Sequence, residues 1–236
     1  MAEDIRNTIQ TTGIQAFEKK YENPDVILVD SQYCSMGRMI AVKACENTEY
    51  TYYDSVLLLE LVKDTGITIS DVEQFEKQLR SKTADLSEMD SEQFKKIQDA
   101  FILAIRRATT KGKCLIHDRA TVRMIQDLNL SCISVMIRNS GTHTKCIRAS
   151  KSPLYQTIID EDTLMTCIQE EDHIRRNWKK LCGEDTWNQS ASYDLILDSE
   201  VFTRDFSAQI LHQLMICQQE YPAVFHMKMI ISLIQI

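Results

Sequence analysis

The chain has 236 residues, of which 44% are hydrophobic and 26% charged. That is enough for one large globular domain or two small ones. The net charge of −7 argues against non-specific nucleic-acid binding, which needs dense Lys and Arg to displace counterions.

Ile5, Ile9 and Phe17 are spaced as the apolar side of an amphipathic helix over 4–20, so residues 1–23 read as a helical N-terminal extension. Pro24 ends it. Val26-Ile27-Leu28-Val29 is a continuous apolar run, suited to a strand buried on both faces of a parallel sheet. Asp30 to Gly37 is a polar loop, and Arg38 to Asn47 reads as a helix. Helices are expected at 54–65 and 70–80, the second with Ser70 as N-cap and Glu73 three residues on. Residues 81–90 form a polar, acidic joint. Gln93 to Thr110 predicts a long helix with Phe94, Ile97, Phe101, Ile102 and Ile105 on its apolar side.

Cys114-Leu115-Ile116 predicts a second core strand, ending at His117-Asp118-Arg119. A helix at 119–128 leads to a strand from Cys132 to Ile137. Helices at 142–150 and 160–182, a strand from Tyr193 to Leu197 and a helix at 203–219 complete the pattern. Strands alternating with helices predict an α/β fold, a doubly wound parallel sheet flanked by helices. In such sheets ligands bind beyond the carboxyl ends of the strands. That singles out 30–38, 117–119, 138–148 and 198–199.

None of the eight cysteines stands in a C-x-x-C pair, and the start MAEDIRN is unlike a secretory leader. Free thiols and a cytoplasmic location are the expectation. Residues 221–236 form an apolar tail. Its run from Met227 to Ile236 falls short of the about 20 residues that span a bilayer, so no membrane partner is expected. The tail and the 4–20 helix are candidates for a homodimer contact.

The first strand, loop and helix are where phosphate chemistry belongs, because a helix N-terminus offers unpaired N–H groups and partial positive charge. The ordinary phosphate loop reads G-x-x-x-x-G-K-[ST]. Here the stretch reads Asp30-Ser31-Gln32-Tyr33-Cys34-Ser35-Met36-Gly37-Arg38, with one Gly and no Lys. On these residues alone, a plain strand-to-helix turn is the favoured reading.

The stretch Ser31-Gln32-Tyr33-Cys34-Ser35-Met36-Gly37-Arg38-Met39-Ile40-Ala41, followed by Tyr52-Tyr53-Asp54, resembles S-R-E-Y-G-S-G-G-R-E-I-A and Y-Y-D of the cytidylate-kinase-like family of P-loop kinases. Asp172-His173-Ile174-Arg175, Trp178, Cys182-Gly183, Trp187 and Tyr193-Asp194-Leu195 resemble its later D-K-x-R, T-G-x-x-W-G and Y-D-L segments. Asp118-Arg119 falls where the family has a strand-terminal G-R. The resemblance covers about 26–215. Two family glycines stand here as Cys34 and Met36, and the family's R-x-x-R is matched by Lys145 and Arg148 after a one-residue slip.

The resemblance implies a P-loop kinase-like domain over 24–220, with a lid-like helical region about 140–185. It implies ATP-dependent phosphoryl transfer to a nucleoside monophosphate, with Mg²⁺ bridging the donor phosphates. Ser31, Tyr33, Cys34, Ser35, Met36, Gly37 and Arg38 would cradle those phosphates. Arg38, Asp118, Arg119 and Arg175 would carry the chemistry, and Asp54, Arg119, Lys145 and Arg148 would face the acceptor. No protein-built metal site is implied.

Each residue also has a plainer reading. Asp118 and Asp54 suit helix N-caps, and Arg119 suits a solvated helix start. Arg175, Arg176, Lys179 and Lys180 suit an exposed helix face as well as a lid. His117 reads as a satisfied strand-end residue, and Trp178 and Trp187 as packing anchors. Cys34 is either an inert filler or a thiol whose pKa falls in an anion-attracting loop. The missing glycines also leave room for a non-catalytic nucleotide-binding or interaction protein on the same fold.

Overall fold

A computed structural model describes residues 24–220, apart from Glu88, Asp90 and Ile159. The expected 4–20 helix and the 221–236 tail, and with them the expected dimer contact, lie outside the described residues.

Five strands form one sheet: β1 (Val26–Ser31), β2 (Thr51–Tyr53), β3 (Cys114–His117), β4 (Cys132–Arg138) and β5 (Leu195–Asp198). Their order is β2-β3-β1-β4-β5, and every pairing is parallel. β1 is central, with Val26 opposite both Cys114 and Cys132. Residues on both of its faces are buried, as the apolar run Val26 to Val29 predicts.

Eight α-helices connect the strands among the described residues: α1 (Gly37–Ala44), α2 (Ser55–Glu60), α3 (Ile69–Glu76), α4 (Ser91–Thr109), α5 (Val122–Asp127), α6 (Thr142–Ser150), α7 (Glu161–Leu181) and α8 (Arg204–Glu220). The alternation along β1 divides the core in two. Val26 and Leu28 join Phe75, Phe94, Phe101 and Trp178 on one face, while Ile27 and Val29 join Ile40, Leu211 and Met215 under α1 and α8 on the other. Trp178 is the packing anchor expected, with Phe75, Phe94 and Phe101 edge-on to its ring. A third, smaller cluster joins α6 and α7 and takes in Tyr33 and Cys34 of the loop after β1.

Several boundaries differ from expectation. The cap of α3 is Thr68, not Ser70. Thr68 and Asp71 bond reciprocally, and Ser70 and Glu73 lie inside the helix. Asp54 caps α2, accepting from the Leu57 amide at 3.0 Å. The helix expected from 119 begins at Val122 with Thr121 as its cap, because Asp118 and Arg119 both have φ 61° and cannot be helical. That removes the N-cap reading of Asp118. β2 is only three residues long at the sheet edge, too short for a period to register. Tyr193 precedes β5 rather than opening it.

Candidate phosphate-binding site

Beyond the carboxyl ends of β1 and β3 lies a cavity of about 800 Å³, bordered by the loop after β1, the start of α2, the end of β3 and residues from α6 and α7. This is where a parallel α/β sheet places its ligand.

The loop has the backbone of a glycine-rich turn without the glycines. Cys34 has φ 63° and Met36 φ 66°, both left-handed. An L-residue there costs about 1–2 kcal/mol, so the surroundings must hold it. The Cys34 side chain packs into the α6–α7 cluster, and Met36 packs against the apolar layer under α1 and α8. Both residues also border the cavity. Burial, then the nearby Asp172, push the Cys34 thiol up to about 11 despite Arg148, Lys145 and Arg175. Of the two readings of Cys34, this favours the inert filler over a thiol of lowered pKa.

Gly37 opens α1. A Cβ on it would come within 2.3 Å of Ser31 Cβ, so no larger residue fits without moving the helix off the strand end. Ser35 turns inward, its Oγ donating to Gln32 O at 2.8 Å. It braces the loop and does not border the cavity. The first amides of α1 have no carbonyl four residues back within the helix.

Arg38 is largely exposed on the cavity rim, with Nη2 3.0 Å from Asp54 Oδ2. His117 Nε2 is 2.9 Å from Ser31 Oγ, and its Nδ1 is 3.5 Å from the Tyr52 hydroxyl. It is the satisfied strand-end residue expected, and burial lowers its pKa.

Asp118 Oδ2 lies 3.8 Å from both His117 Nε2 and Arg175 Nε. Burial disfavours its charge, but His117, Arg175, Arg119 and Lys179 more than offset that, holding its carboxyl below the usual range. Arg119 is not a solvated helix-start residue. Its guanidinium is partly buried and forms a two-point pair with Glu76, Nη2 donating to Oε2 at 2.9 Å and Nε to Oε1.

Of the four cations expected in a lid, one reaches the cavity. Arg175 borders it, donates from Nη1 to Glu171 O at 2.7 Å and lies over the Tyr33 ring. Its buried Nε has no hydrogen-bond partner. Arg176 lies over Trp187, and Lys180 pairs with Asp185 at 3.4 Å. Lys179 is buried against Asp30 and donates to Ala120 O. It is neither lid nor exposed face.

Arg148 borders the cavity, but its guanidinium is engaged with Cys34 O at 2.9 Å, Ser199 Oγ at 3.0 Å and Ser199 O at 3.2 Å. Lys145 does not border the cavity.

Sequence reasoning missed Glu76, Lys151 and the loop contact of Asp172, whose Oδ1 accepts from the Tyr33 amide at 2.7 Å. Asp172 carried a signal, since it shares a helix face with Arg175. Glu76 and Lys151 carried none. Among the described residues no group of three His, Cys, Asp or Glu side chains could hold a metal ion, and no helix is long and apolar enough to cross a membrane.

A family profile described as the cytidylate kinase-like family matches residues 26–201. The chain belongs to that family. At this level its chemistry is kinase-like phosphotransfer on a P-loop nucleoside-monophosphate-kinase-like fold. No curated protein matches the chain. Among solved structures, an uncharacterized protein from Eubacterium ventriosum has a TM-score of 0.59 at 19% identity, covering 80% of this chain and 97% of that one. A shikimate kinase from Acinetobacter baumannii, in complex with shikimate, has a TM-score of 0.43 at 13% identity, covering 84% and 97%. A deoxyadenosine kinase from M. mycoides with bound dATP has 0.39 at 13%, covering 80% and 98%. The first likeness supports the fold of this cytidylate kinase-like chain.

Proposed function

We propose that the cavity binds ATP phosphates on the loop 31–38 and passes the γ-phosphoryl group to a nucleoside monophosphate. The observation that carries this reading is the left-handed backbone at Cys34 and Met36. Those torsions are ones that glycine favours, and they stand at the two positions where the resemblance has glycine.

Phosphoryl transfer needs positioning and charge neutralisation more than covalent help from the protein. Arg38 at the head of α1 faces the donor phosphates. Arg175 offers the transferring group its Nε, which makes no hydrogen bond within the protein and lies 3.8 Å from Asp118 Oδ2. Arg119, aimed by Glu76, and Asp54 face the acceptor. Asp118 is the carboxylate suited to Mg²⁺. That ion is commonly held by one or two carboxylates together with substrate phosphates and water. When bound it supplies charge neutralisation between donor phosphates.

The test is a phosphoryl-transfer screen with ATP-Mg²⁺ and CMP, dCMP, UMP and AMP as acceptors, beside a thermal shift with ATP-Mg²⁺. Transfer to one of them is expected, and transfer to none overturns the reading. A second reading is a nucleotide-binding protein without catalysis. It is favoured by the engagement of Arg119 with Glu76 and of Arg148 with the loop and Ser199. A thermal shift without transfer supports it.

A further inference from the structure

The left-handed residues of the loop need an external holder. Non-glycine residues persist in that region only when the structure around them over-determines the backbone. Two side chains bracket Cys34. Asp172 of α7 accepts from the Tyr33 amide at 2.7 Å. Arg148 of α6 donates to the Cys34 carbonyl at 2.9 Å. These bonds fix the chain on either side of the Cys34 torsions.

Ring contacts point the same way. Tyr33 packs edge-on to Tyr155 at 6.0 Å between centroids, and the Arg175 guanidinium sits 5.5 Å from the Tyr33 centroid. Below, the Gln32 amide donates to Ile137 O, and Gln32 Oε1 accepts from the Asn139 amide. The loop is thus tied on one side to the end of β4 and on the other to α6 and α7. Arg148 in turn is anchored at the end of β5 through Ser199.

We propose that Asp172 and Arg148 are positioning residues that clamp the loop in its anion-binding shape, doing with side chains from α6 and α7 what glycines do with backbone freedom. The proposal rests on the reading of this loop as a phosphate cradle. It also reassigns Arg148 from an acceptor ligand to a support of the loop. In consequence, α6 and α7 cannot move away from the cavity as an independent lid. When they move, the loop loses its shape.

The experiment is a set of double-mutant cycles. Asp172→Ala, Asp172→Asn and Arg148→Met are each made in the natural sequence and in a Cys34→Gly/Met36→Gly background. Three readouts follow: amide hydrogen exchange at Tyr33, affinity for inorganic pyrophosphate, and melting temperature. Asp172→Ala should speed Tyr33 exchange and weaken pyrophosphate binding about tenfold or more, the scale of a lost charge-assisted hydrogen bond. Asp172→Asn, which keeps an acceptor oxygen, should recover most of that loss. In the glycine background the loss should shrink to less than about twofold, because glycine holds a left-handed turn unaided.

Equal losses in both backgrounds overturn the clamp, as does unchanged Tyr33 exchange in Asp172→Ala. If Asp172→Ala fails to fold, Arg148→Met carries the same cycles, with the same loss in the natural sequence and the same shrinkage in the glycine background expected. A natural-sequence protein that binds no pyrophosphate overturns the phosphate-cradle reading instead. The clamp is then decided by Tyr33 exchange and by the melting-temperature cycle.

Discussion

Lys179 Nζ on α7 lies 2.9 Å from Asp30 Oδ2 at the end of β1, and both side chains are buried. The Tyr193 hydroxyl donates to the same Asp30 oxygen at 2.8 Å, and Lys179 also donates to Ala120 O at 2.8 Å. Three chain segments therefore meet at one carboxylate beneath the cavity. Arg175 stands one helical turn before Lys179, so the pin that fixes α7 to the sheet also fixes the position of Arg175.

Removing one partner of a buried pair leaves the other charge uncompensated. Lys179→Met should therefore destabilise the fold by about 3–5 kcal/mol. The Lys179→Met/Asp30→Asn double variant should lose less than the sum of the two single variants. Urea unfolding of the four proteins measures both, and additive losses would refute the coupling.

Arg38 is mostly solvent-exposed and pairs with Asp54 at the rim. An exposed pair contributes little to stability. Arg38→Ala should leave the unfolding free energy within about 0.5 kcal/mol. The same change should weaken ATP binding about ten- to hundredfold, as expected for losing a charge-assisted contact. Calorimetric titration with ATP-Mg²⁺ reads the second effect, and unchanged affinity removes Arg38 from the site.

The sheet was legible because β1 and β3 open with apolar runs, Val26 to Val29 and Cys114 to Ile116, and α4 repeats its apolar residues at helical spacing. The site was legible only in outline. Arg38, Asp54, Asp118, Arg119 and Arg175 follow strand ends or family motifs, and all border the cavity. What those residues touch was not legible. Arg119 meets Glu76 from 43 residues away, and the Tyr33 amide meets Asp172 from 139 away. Such partners are chosen by the packing of α3 and α7, which no local pattern encodes. The left-handed turn at 118–119 was hidden too, since Asp-Arg after an apolar strand looks like a helix start.

His117 gives the fold a pH dependence of definite sign. Burial disfavours its imidazolium most, with Asp118 and Asp30 pulling its pKa up and Arg175 and Arg119 pushing it further down. The net direction is below the ordinary value of about 6.5. As pH falls through that value the unfolded chain takes up the proton first. This stability is whole above about pH 6.5 and declines below it, with a slope approaching about 1.4 kcal/mol per pH unit until the folded-state pKa is reached. The stability difference between the natural protein and His117→Gln should be constant above pH 7 and shrink below pH 6, both pH values being set on the order of half a unit either side of that reference. A difference that grows on acidification contradicts the assignment.

Arg175 and Arg176 are sequence neighbours with opposite roles, which makes them a matched pair for testing the site. Arg175 borders the cavity, and its buried Nε makes no hydrogen bond and lies 3.8 Å from the Asp118 carboxylate. Arg176 is exposed and lies over the Trp187 ring, outside the cavity. Charge placed against a transferring phosphoryl group is worth about 10³–10⁵ in rate when supplied by an arginine of the right geometry. Arg175→Ala should therefore reduce phosphoryl transfer by about a thousandfold or more, with the larger part of the loss in kcat. Arg175→Lys should recover little, because a point charge cannot reproduce the planar fork. Arg176→Ala should change the rate by less than about threefold, losing at most one exposed cation–π contact. Steady-state kinetics with saturating ATP-Mg²⁺ and the best acceptor measures all three. If Arg176→Ala falls as far as Arg175→Ala, the charge that matters is the field of α7 as a whole. The placement of one guanidinium at the transferring group would then be wrong.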